Sequence, residues 1–301
     1  MPEPSISVVV TNYNTATLTI RCVEGVMRHK QGRPVEVVVV DDGSSESLRG
    51  RLPAGVELVE NGANRGYLPS VNIGVARARG DVVLLLDSDA EPLADVFTPV
   101  ARAFGERPRL GAVGYPLVDR ADQPTGATAP EPTALGLAVG QQLEARLQRW
   151  VPALFRDPFT IHSCAIAFRR RAFEYLGGFD EGFDFLDGDT DFSMRLRRAG
   201  WELDIERGAK ILHEGSGSPQ TTARRVLRFH TNRWRLLEKH GRLPYPTLLK
   251  GVLWARHLAE LAVIGGSSLA GGDPIRRADK LESRKKLLAT VWHAYRDAGP
   301  R

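Results

Sequence analysis

Hydrophobic positions in the first part of the chain alternate between short continuous runs and helically spaced stretches. The continuous runs predict strands at residues 6–10, 35–40, 56–60, 82–86 and 111–115. Apolar residues three or four apart predict helices between them, near residues 18–28, 46–51, 68–79 and 95–104. This order predicts an α/β fold in which helices flank a mainly parallel, Rossmann-like sheet. Ligands of such sheets bind outside the carboxyl ends of the strands.

The pattern changes twice in the second half of the chain. Residues 116–159 are rich in Pro, Gly, Thr and Ala, which indicates an insertion or acceptor loop with one helix over residues 134–150. A strand at 164–168, a short helix at 171–176 and a helix ending at Ala199 follow. Three more helices are predicted near residues 222–239, 246–264 and 276–295, with a glycine-rich linker at 265–272. We therefore expect an α/β domain over residues 1–218 and a C-terminal helical extension over residues 219–301.

The C-terminal extension differs electrically from the rest of the chain. Residues 219–301 contain 17 Lys and Arg against 6 Asp and Glu, whereas residues 1–218 contain 24 against 30. Such a basic segment favours an anionic partner, namely a membrane surface, a lipid phosphate or nucleic acid; a solvated, Arg-rich helix face is an equal alternative. One face of the last predicted helix is apolar and consists of Leu281, Leu288, Val291, Trp292 and Tyr295. Such a face is typical of core packing or an oligomer contact, and membrane docking is the alternative.

Composition narrows the class of protein. The chain has 301 residues, of which 42% are hydrophobic and 26% charged, as in soluble globular proteins. Its two cysteines, Cys22 and Cys164, cannot build a disulfide framework or a cysteine metal cluster, and we expect both to be core thiols. No secretory signal is visible, and no apolar run approaches the roughly 18 residues of a membrane span. We therefore expect a cytoplasmic protein.

Two acidic clusters are the strongest chemical signals. Asp87-Ser88-Asp89 follows the apolar run 82–86, where two carboxylates would repel each other unless a cation lay between them. Oxygen ligands favour Mg²⁺ or Mn²⁺ there, although Asp residues also start turns and cap helices. The second cluster, residues 187–191, suggests a general base. Neither G-x-G-x-x-G nor a P-loop is present, so dinucleotide oxidoreduction and P-loop hydrolysis are not supported.

Several motifs follow one another in an order that resembles family 2 glycosyltransferases with a GT-A fold. They are Ser7-Val8-Val9-Val10-Thr11-Asn12-Tyr13-Asn14, Val38-Val39-Val40-Asp41-Asp42-Gly43-Ser44, Asn64-Arg65-Gly66, Asp87-Ser88-Asp89, Gly177-Gly178-Phe179-Asp180-Glu181, the 187–191 cluster and His213-Glu214-Gly215. The resemblance covers about residues 5–218. It implies a bacterial cell-envelope or polysaccharide enzyme that transfers a sugar with inversion.

The resemblance also implies a donor site. Thr11 and Tyr13 match positions that line the nucleotide pocket, and Asp41, or less favourably Asp42, matches the carboxylate that binds the base. A carboxylate accepts from a pyrimidine N3–H or a ribose hydroxyl, and an aromatic ring offers a stacking face. The alternatives are packing for Tyr13 and a turn for the two aspartates.

The next loop and the first acidic cluster complete the implied donor site. Arg65 could pair with a diphosphate oxygen, or Asn64 could simply cap the following helix. Asp89 matches the direct metal ligand, Asp87 lies near the ribose or bridges through water, and His213 can complete the metal shell. The implied cofactor is Mn²⁺ or Mg²⁺.

The second cluster departs from the family pattern. The usual Glu-Asp pair reads Gly188-Asp189 here, so Asp189 is the candidate base and Asp187 its alternative, one position earlier. Asp191 opens a helix that contains Arg195, where it could cap the helix or form an ion pair.

These residues predict a metal-dependent inverting glycosyltransferase that moves a sugar from a nucleotide-sugar donor, with UDP- or dTDP-sugars favoured, to a hydroxyl of a glycan or lipid-linked acceptor. A sugar-1-phosphate nucleotidyltransferase is an alternative, although the loop after the first strand lacks the glycine-rich, basic sequence expected for it. A non-enzymatic protein that binds nucleic acid through the basic extension is a third reading, without a recognised motif. Peripheral membrane contact through the C-terminal helices and homo-oligomerisation are compatible with the sequence, and specific nucleic-acid binding is not expected.

Overall fold

The computed structural model describes residues 3–151, 158–184, 186–213, 222–266 and 274–290. The chain divides into two compact units. The first comprises Met1–Pro130 and Phe159–Gly217, and the second comprises Glu131–Pro158 and Ser218–Arg301. The second unit therefore joins the C-terminal helices to a segment from the middle of the chain.

The first unit contains twelve strands and five helices among its described residues. The strands are β1 (Ile6–Asn12), β2 (Val35–Asp41), β3 (Val56–Glu60), β4 (Val82–Asp87), β5 (Ala90–Pro92), β6 (Leu110–Gly114), β7 (Leu117–Val118), β8 (Thr128–Pro130), β9 (Phe159–Ile161), β10 (Ala165–Arg169), β11 (Glu202–Ile205) and β12 (Ile211–His213). The helices are α1 (Ala16–His29), α2 (Tyr67–Arg77), α3 (Phe97–Glu106), α6 (Arg170–Tyr175) and α7 (Gly188–Arg198). The second unit contributes α4 (Ala134–Val139), α5 (Gln141–Trp150), α8 (Thr222–Lys239), α9 (Pro246–Gly266) and α10 (Pro274–Thr290).

A seven-stranded sheet in the order β11-β6-β10-β4-β1-β2-β3 forms the centre of the first unit. Its strands pair in parallel except for β10, which runs antiparallel to both neighbours. Every residue of β1 is buried, because helices cover both faces of a parallel sheet. This confirms the predicted Rossmann-like α/β fold with a mainly parallel sheet.

The parallel register brings the ends of three strands together. Asn12 of β1 lies opposite Asp41 of β2, and Thr11 of β1 lies opposite Asp87 of β4. Beside them, β12 pairs with β5 and β7 in a smaller three-stranded sheet. The polar residues that follow the apolar runs therefore share one edge of the central sheet.

Two predicted helices differ from the structure. Residues 46–51 form bends and turns instead of a helix, since Gly43 and Gly50 adopt positive φ values of 73° and 71° and interrupt the regular backbone. The helix predicted over residues 134–150 is broken into α4 and α5 at Gly140, whose φ is 89°. At Gly140 the positive φ therefore ends a helix that the apolar pattern alone would continue.

The regular elements among the described residues of the second unit are all helices. A small apolar core joins α4, α8 and α9, and consists of Leu137, Trp234, Leu237, Leu249 and Leu253. In α10, Leu287 is buried and Leu281 and Leu288 are half-buried, while Val291, Trp292 and Tyr295 of the predicted stripe lie outside the described residues. Among the helices that the structure describes, none is both long enough and apolar enough to cross a membrane.

Candidate active site

Two carboxylates and an imidazole meet at the edge of the central sheet. Asp87 ends β4, Asp89 follows it, and His213 ends β12. The antiparallel pairing of β12 with β5 places His213 opposite Ala90, next to Asp89. His213 Nε2 lies 3.4 Å from Asp89 Oδ1 and 3.9 Å from Asp87 Oδ2. One ligand atom from each of the three residues lies within 4.8 Å of the others, which is close enough for all three to bind one ion.

The electrostatics of this cluster fit a cation. Burial raises the pKa of Asp87 to about 6, and the negative charges of Asp89 and Asp189 raise it further. The hydrogen bond from Tyr67 and the charge of His213 act in the opposite direction and lower the pKa of Asp87. The contact with Asp89 raises the pKa of His213. Ionised carboxylates held this close destabilise each other until a positive charge compensates them. Carboxylate oxygens are ligands suited to Mn²⁺ or Mg²⁺, and the imidazole nitrogen can add a third ligand atom.

Two hydroxyl groups orient the Asp87-Ser88-Asp89 turn. Tyr67, the first residue of α2, donates its hydroxyl to Asp87 Oδ1 at 2.8 Å. Thr15 donates its Oγ1–H to Ser88 Oγ at 2.9 Å. The backbone N–H of Asp87 donates to the carbonyl of Cys164 at 2.9 Å. The acidic turn is therefore held in place by groups from three other segments of the chain.

A second polar network joins the ends of β1 and β2. Asn12 Nδ2 donates to Asp41 Oδ1 at 2.5 Å and to Ser44 Oγ at 3.0 Å, and Ser44 Oγ–H donates to the same Asp41 oxygen at 2.6 Å. Asp41 is buried, and Thr11 lies next to this network in β1. Tyr13, in contrast, exposes 50% of its surface, which leaves its ring face open to solvent. Asp41 thus closes the turn after β2, and Tyr13 offers a free aromatic surface at the same edge.

Asp42 organises the loop that contains Asn64 and Arg65. Its Oδ1 accepts from the backbone N–H of Arg65 at 2.8 Å, and its Oδ2 accepts from the backbone N–H of Gly66 at 2.9 Å. The side chains of Asn64 and Arg65 are exposed. The N-cap of α2 is Gly66, with φ 99°, and not Asn64, so the alternative that Asn64 caps this helix is wrong. The buried Asp42 carboxylate instead fixes the backbone from which Arg65 projects.

Asp189 lies in the first turn of α7 and is held by backbone donors. The N–H of Ser163 donates to its Oδ2 at 3.1 Å, and the N–H of Thr190 donates to its Oδ1 at 2.7 Å. His162 Nδ1 lies 3.5 Å from the same Oδ2. Burial pushes the pKa of Asp189 upward, but His162 and the two backbone N–H groups outweigh burial and hold that pKa below its usual value. Asp189 is therefore an oriented carboxylate that stays ionised at neutral pH.

The residues around Asp189 have other tasks. Asp187 is the N-cap of α7 in a left-handed conformation with φ 68°, and its side chain makes no capping hydrogen bond. A Cβ added to Gly188 would lie 2.6 Å from Leu68 Cδ1, so the glutamate that the family pattern would place there requires the buried Leu68 side chain to shift. Asp191 is fully buried and accepts from Arg195 Nε at 2.7 Å, which is the ion pair considered from the sequence.

The predicted residues thus form three groups in the first unit, namely the acidic cluster, the polar residues at the ends of β1 and β2 with the loop that Asp42 holds, and Asp189. Asp87, Asp89 and His213 form the acidic cluster, and Asp189 is close enough for its charge to raise the pKa of Asp87. Glu214 and Gly215 of the histidine motif lie outside the described residues.

Sequence reasoning missed two residues of this site. Tyr67 contacts Asp87, and His162 contacts Asp189. Tyr67 directly follows the Asn64-Arg65-Gly66 motif, which is a signal that could have identified it. His162 stands alone between two short strands, so no local pattern indicates its role.

The chain is similar to known sugar transferases. Residues 7–177 match the family model described as glycosyl transferase family 2. An N-acetylglucosaminyl-diphospho-decaprenol L-rhamnosyltransferase of Mycobacterium tuberculosis is 28% identical over 218 residues, which cover 62% of this chain and 68% of that protein. Polypeptide N-acetylgalactosaminyltransferase 12 of Mus musculus is 28% identical over 231 residues, which cover 70% of this chain and 40% of that protein.

Solved structures show the same fold. The mannosyltransferase PcManGT from Pyrobaculum calidifontis, in complex with GDP-Man and Mn²⁺, superposes with a TM-score of 0.54 at 21% identity, over 97% of this chain and 82% of that one. S. aureus TarS 1-349 superposes with a TM-score of 0.50 at 16% identity, over 98% of this chain and 88% of that one. The family model spans more than half of the chain, and the relatives are named as sugar transferases. This chain is therefore an enzyme with the GT-A fold, and it belongs to glycosyl transferase family 2.

Proposed function

We propose that this enzyme transfers a sugar, with inversion at the anomeric carbon, from a UDP- or dTDP-sugar to a hydroxyl of a glycan or lipid-linked acceptor, in a reaction that depends on Mn²⁺ or Mg²⁺. The observation that carries the proposal is the acidic cluster of Asp87, Asp89 and His213 beside the separately held carboxylate of Asp189. The first group suits a cation with a diphosphate, and the second suits a base. Family membership favours sugar transfer over the nucleotidyltransferase and nucleic-acid-binding alternatives.

The acidic cluster serves the donor. Asp89, Asp87 and His213 would hold the ion, which when bound supplies positive charge to the leaving diphosphate. Arg65 is exposed on the loop held by Asp42, where its guanidinium can pair with a diphosphate oxygen. These residues act on the leaving group and not on the acceptor.

The nucleoside is assigned to the ends of β1 and β2. Tyr13 offers its exposed ring to the base, and Thr11 lies in the adjoining strand. Asp41 accepts from Asn12 and Ser44, and a carboxylate with two oxygens retains acceptor capacity for the N3–H of a pyrimidine. We therefore favour uracil or thymine as the base. A thermal-shift comparison of UDP-, dTDP- and GDP-sugars with Mn²⁺ tests this choice.

Asp189 serves the acceptor. Its carboxylate removes the proton from the acceptor hydroxyl while that oxygen forms a bond to the anomeric carbon, and the bond from that carbon to the diphosphate breaks. The proton ends on Asp189, and the nucleoside diphosphate leaves with the bonding electrons. Attack from the face opposite the leaving group inverts the configuration.

The nature of the acceptor is supported by a relative. The M. tuberculosis protein is named for an acceptor in which N-acetylglucosamine is joined through diphosphate to decaprenol, a lipid. We extend this acceptor class to the present enzyme. A lipid-linked acceptor would place the enzyme in the cytoplasm in peripheral contact with the inner face of a membrane.

The proposal is tested by two substitutions with separable effects. Asp189→Asn should lower the turnover number by about two to four orders of magnitude, as expected for loss of a general base, and leave metal-dependent donor binding unchanged. Asp89→Ala should lower the turnover number and also weaken metal-dependent donor binding. Asp122→Asn, which changes an exposed carboxylate paired with Lys210, is the matched control and should leave both quantities unchanged. Full turnover in purified Asp189→Asn would refute the base, and donor binding indifferent to Mn²⁺ would refute the metal site.

A further inference from the structure

Helix α9 carries its charged residues on the side that faces the protein. Arg256 Nη1 donates to the carbonyl oxygens of Leu137 and Ala138 at 2.7 and 2.8 Å, and its Nε donates to Glu260 at 3.2 Å. The ammonium of Lys250 lies 5.3 Å from the ring centre of Trp234. These are the three Lys, Arg, Asp and Glu residues of α9. Each is engaged within the second unit.

The opposite side of α9 is apolar and exposed. Leu248 and Val263 expose 67% and 72% of their surface, and Val252, Trp254 and Leu258 are exposed as well. At 100° per residue these side chains occupy about half of the helix circumference, and the helix is roughly 30 Å long. Small residues fill the gaps between them, namely Gly251, Ala255, Ala259 and Ala262. We call this surface the α9 apolar face.

This arrangement differs from that of a helix on a water-facing surface, because α9 packs Leu249 and Leu253 into the core and yet presents no charged residue on its exposed side. Such a helix turns its apolar stripe toward the core and its charges toward solvent. Single exposed leucines are common, but a continuous apolar surface of this length marks an interaction site. The charged residues of α9 are half-buried on the same side as Leu249 and Leu253, and an exposed side without any charge favours an apolar environment outside α9.

The charge of the surrounding unit identifies the partner. The described residues 222–266 and 274–290 contain 15 Lys and Arg against 4 Asp and Glu. Exposed cations, such as Lys280 and Lys285 of α10, are attracted to an anionic bilayer. A second copy docking through the same face would instead bring two strongly positive units together, because a two-fold contact is self-complementary.

We propose that the α9 apolar face docks on the surface of an anionic phospholipid bilayer, with Leu248, Trp254 and Leu258 inserted among the lipids. The helix lies in the plane of the interface, as amphipathic helices of peripheral proteins do. This inference deepens the proposed function, from which it takes the lipid-linked acceptor. Docking through α9 would bring the enzyme to a lipid-linked acceptor, although none of its described helices can span a membrane.

The test uses the full chain and vesicles without donor or acceptor. Wild-type protein should co-sediment with vesicles of equal parts phosphatidylglycerol and phosphatidylcholine, more weakly with phosphatidylcholine alone, and less in high salt. Leu248→Glu combined with Leu258→Glu should weaken binding about a hundredfold or more, since each leucine contributes about tenfold through burial. Trp254 should give a blue shift in tryptophan emission on vesicle addition, and this shift should be largely lost in Trp254→Phe.

The matched control is Tyr175→Glu, which places a carboxylate at an exposed apolar residue of the first unit and should bind vesicles like wild type. Equal vesicle binding by wild type and the double glutamate variant would overturn the proposal. Light scattering without vesicles supplies a second contrary outcome. A dimeric wild type and a monomeric double variant would assign the α9 apolar face to a contact with a second copy and would also overturn the proposal. Donor binding in the presence of Mn²⁺ should be the same in all variants, so failure of vesicle binding and failure of the proposed catalysis are distinguishable.

Discussion

His162 Nδ1 lies 3.5 Å from Oδ2 of Asp189, the second residue of α7. The contact with Asp189 raises the pKa of His162 in spite of partial burial, and the same contact helps to lower the pKa of Asp189. The contact thus keeps Asp189, the candidate base, ionised and oriented. His162 itself is partly exposed to solvent. His162 acts through Asp189, so we regard it as a positioning residue.

The first prediction concerns the pH dependence of catalysis. His162→Gln removes the positive charge but retains a side chain that can donate a hydrogen bond. The pKa of Asp189 should then rise, and the acidic limb of the kcat/KM profile should move to higher pH because the base must be deprotonated. Rates measured across the acidic range with saturating metal check this. His29→Gln, at the half-buried last residue of α1, should leave the profile unchanged. An acidic limb that does not move in His162→Gln would show that His162 does not tune the pKa of the base.

The same variant has a second readout in stability. Because the pKa of folded His162 lies above the unfolded value of 6.5, its stabilisation is complete below about pH 6.5 and is lost as pH rises through the folded pKa. His162→Gln should therefore lower the melting temperature near pH 6 and have little effect near pH 9. An equal loss at both pH values would point to packing instead of charge.

The second prediction concerns the contact between Gly188 and Leu68. A methyl group on Gly188 would approach Leu68 Cδ1 to 2.6 Å, so Gly188→Ala should destabilise the first unit by about 1–3 kcal/mol through overpacking. Combining it with Leu68→Ala should cost less than the sum of the two single changes, which denaturant unfolding can measure. Gly105→Ala in α3 is the control, since its new methyl would meet Pro4 at an ordinary 3.6 Å. Strict additivity would contradict the proposed contact.

The third prediction concerns Tyr67. Tyr67→Phe removes the hydrogen bond that orients Asp87 and should weaken Mn²⁺ binding by about 10–100-fold, the usual effect of losing a partner of a metal ligand. Calorimetric titration with Mn²⁺ measures this directly. Tyr115→Phe also removes a buried hydroxyl, which donates to the carbonyl of Val96, and should lower stability without changing Mn²⁺ affinity. Equal Mn²⁺ affinities in the two variants would exclude this role for Tyr67.

The fourth prediction concerns Asp42. Both of its oxygens accept from backbone N–H groups, so the amide of Asp42→Asn must turn a donor toward a donor. The loop carrying Arg65 should loosen at a local cost of about 1–3 kcal/mol, and the KM for the donor should rise more than kcat falls. Donor kinetics and hydrogen exchange of residues 61–66 report the change.

The control for Asp42 is Asp119→Asn. Asp119 also accepts from two backbone N–H groups, those of Ala121 and Gln123, but uses a single oxygen that asparagine retains. It should leave the donor KM unchanged. A donor KM in Asp42→Asn equal to that of wild type would separate the loop from donor binding.

Local sequence patterns predicted six of the seven strands of the central sheet and the first acidic cluster, but missed the edge strand β11. The apolar run before Asp87 marks a strand buried on both faces, and the Asp residues that follow must lie at its carboxyl end. Local patterns failed where a glycine redirected the backbone, as at Gly140 between α4 and α5. Hydrophobic spacing does not contain that information, because a positive φ interrupts a helix without changing the apolar pattern.

The sequence by itself determined six strands of the central sheet, the two acidic clusters and the charge of the C-terminal helices, because each depends on neighbouring residues. The tertiary structure decided which distant residues meet. His213 reaches Asp89 through the pairing of β12 with β5, and His162 reaches Asp189 through its place beside α7. The outward direction of the α9 apolar face likewise depends on which side of α9 the other helices cover. Strand register and helix packing set these contacts, and they act between segments far apart in the chain.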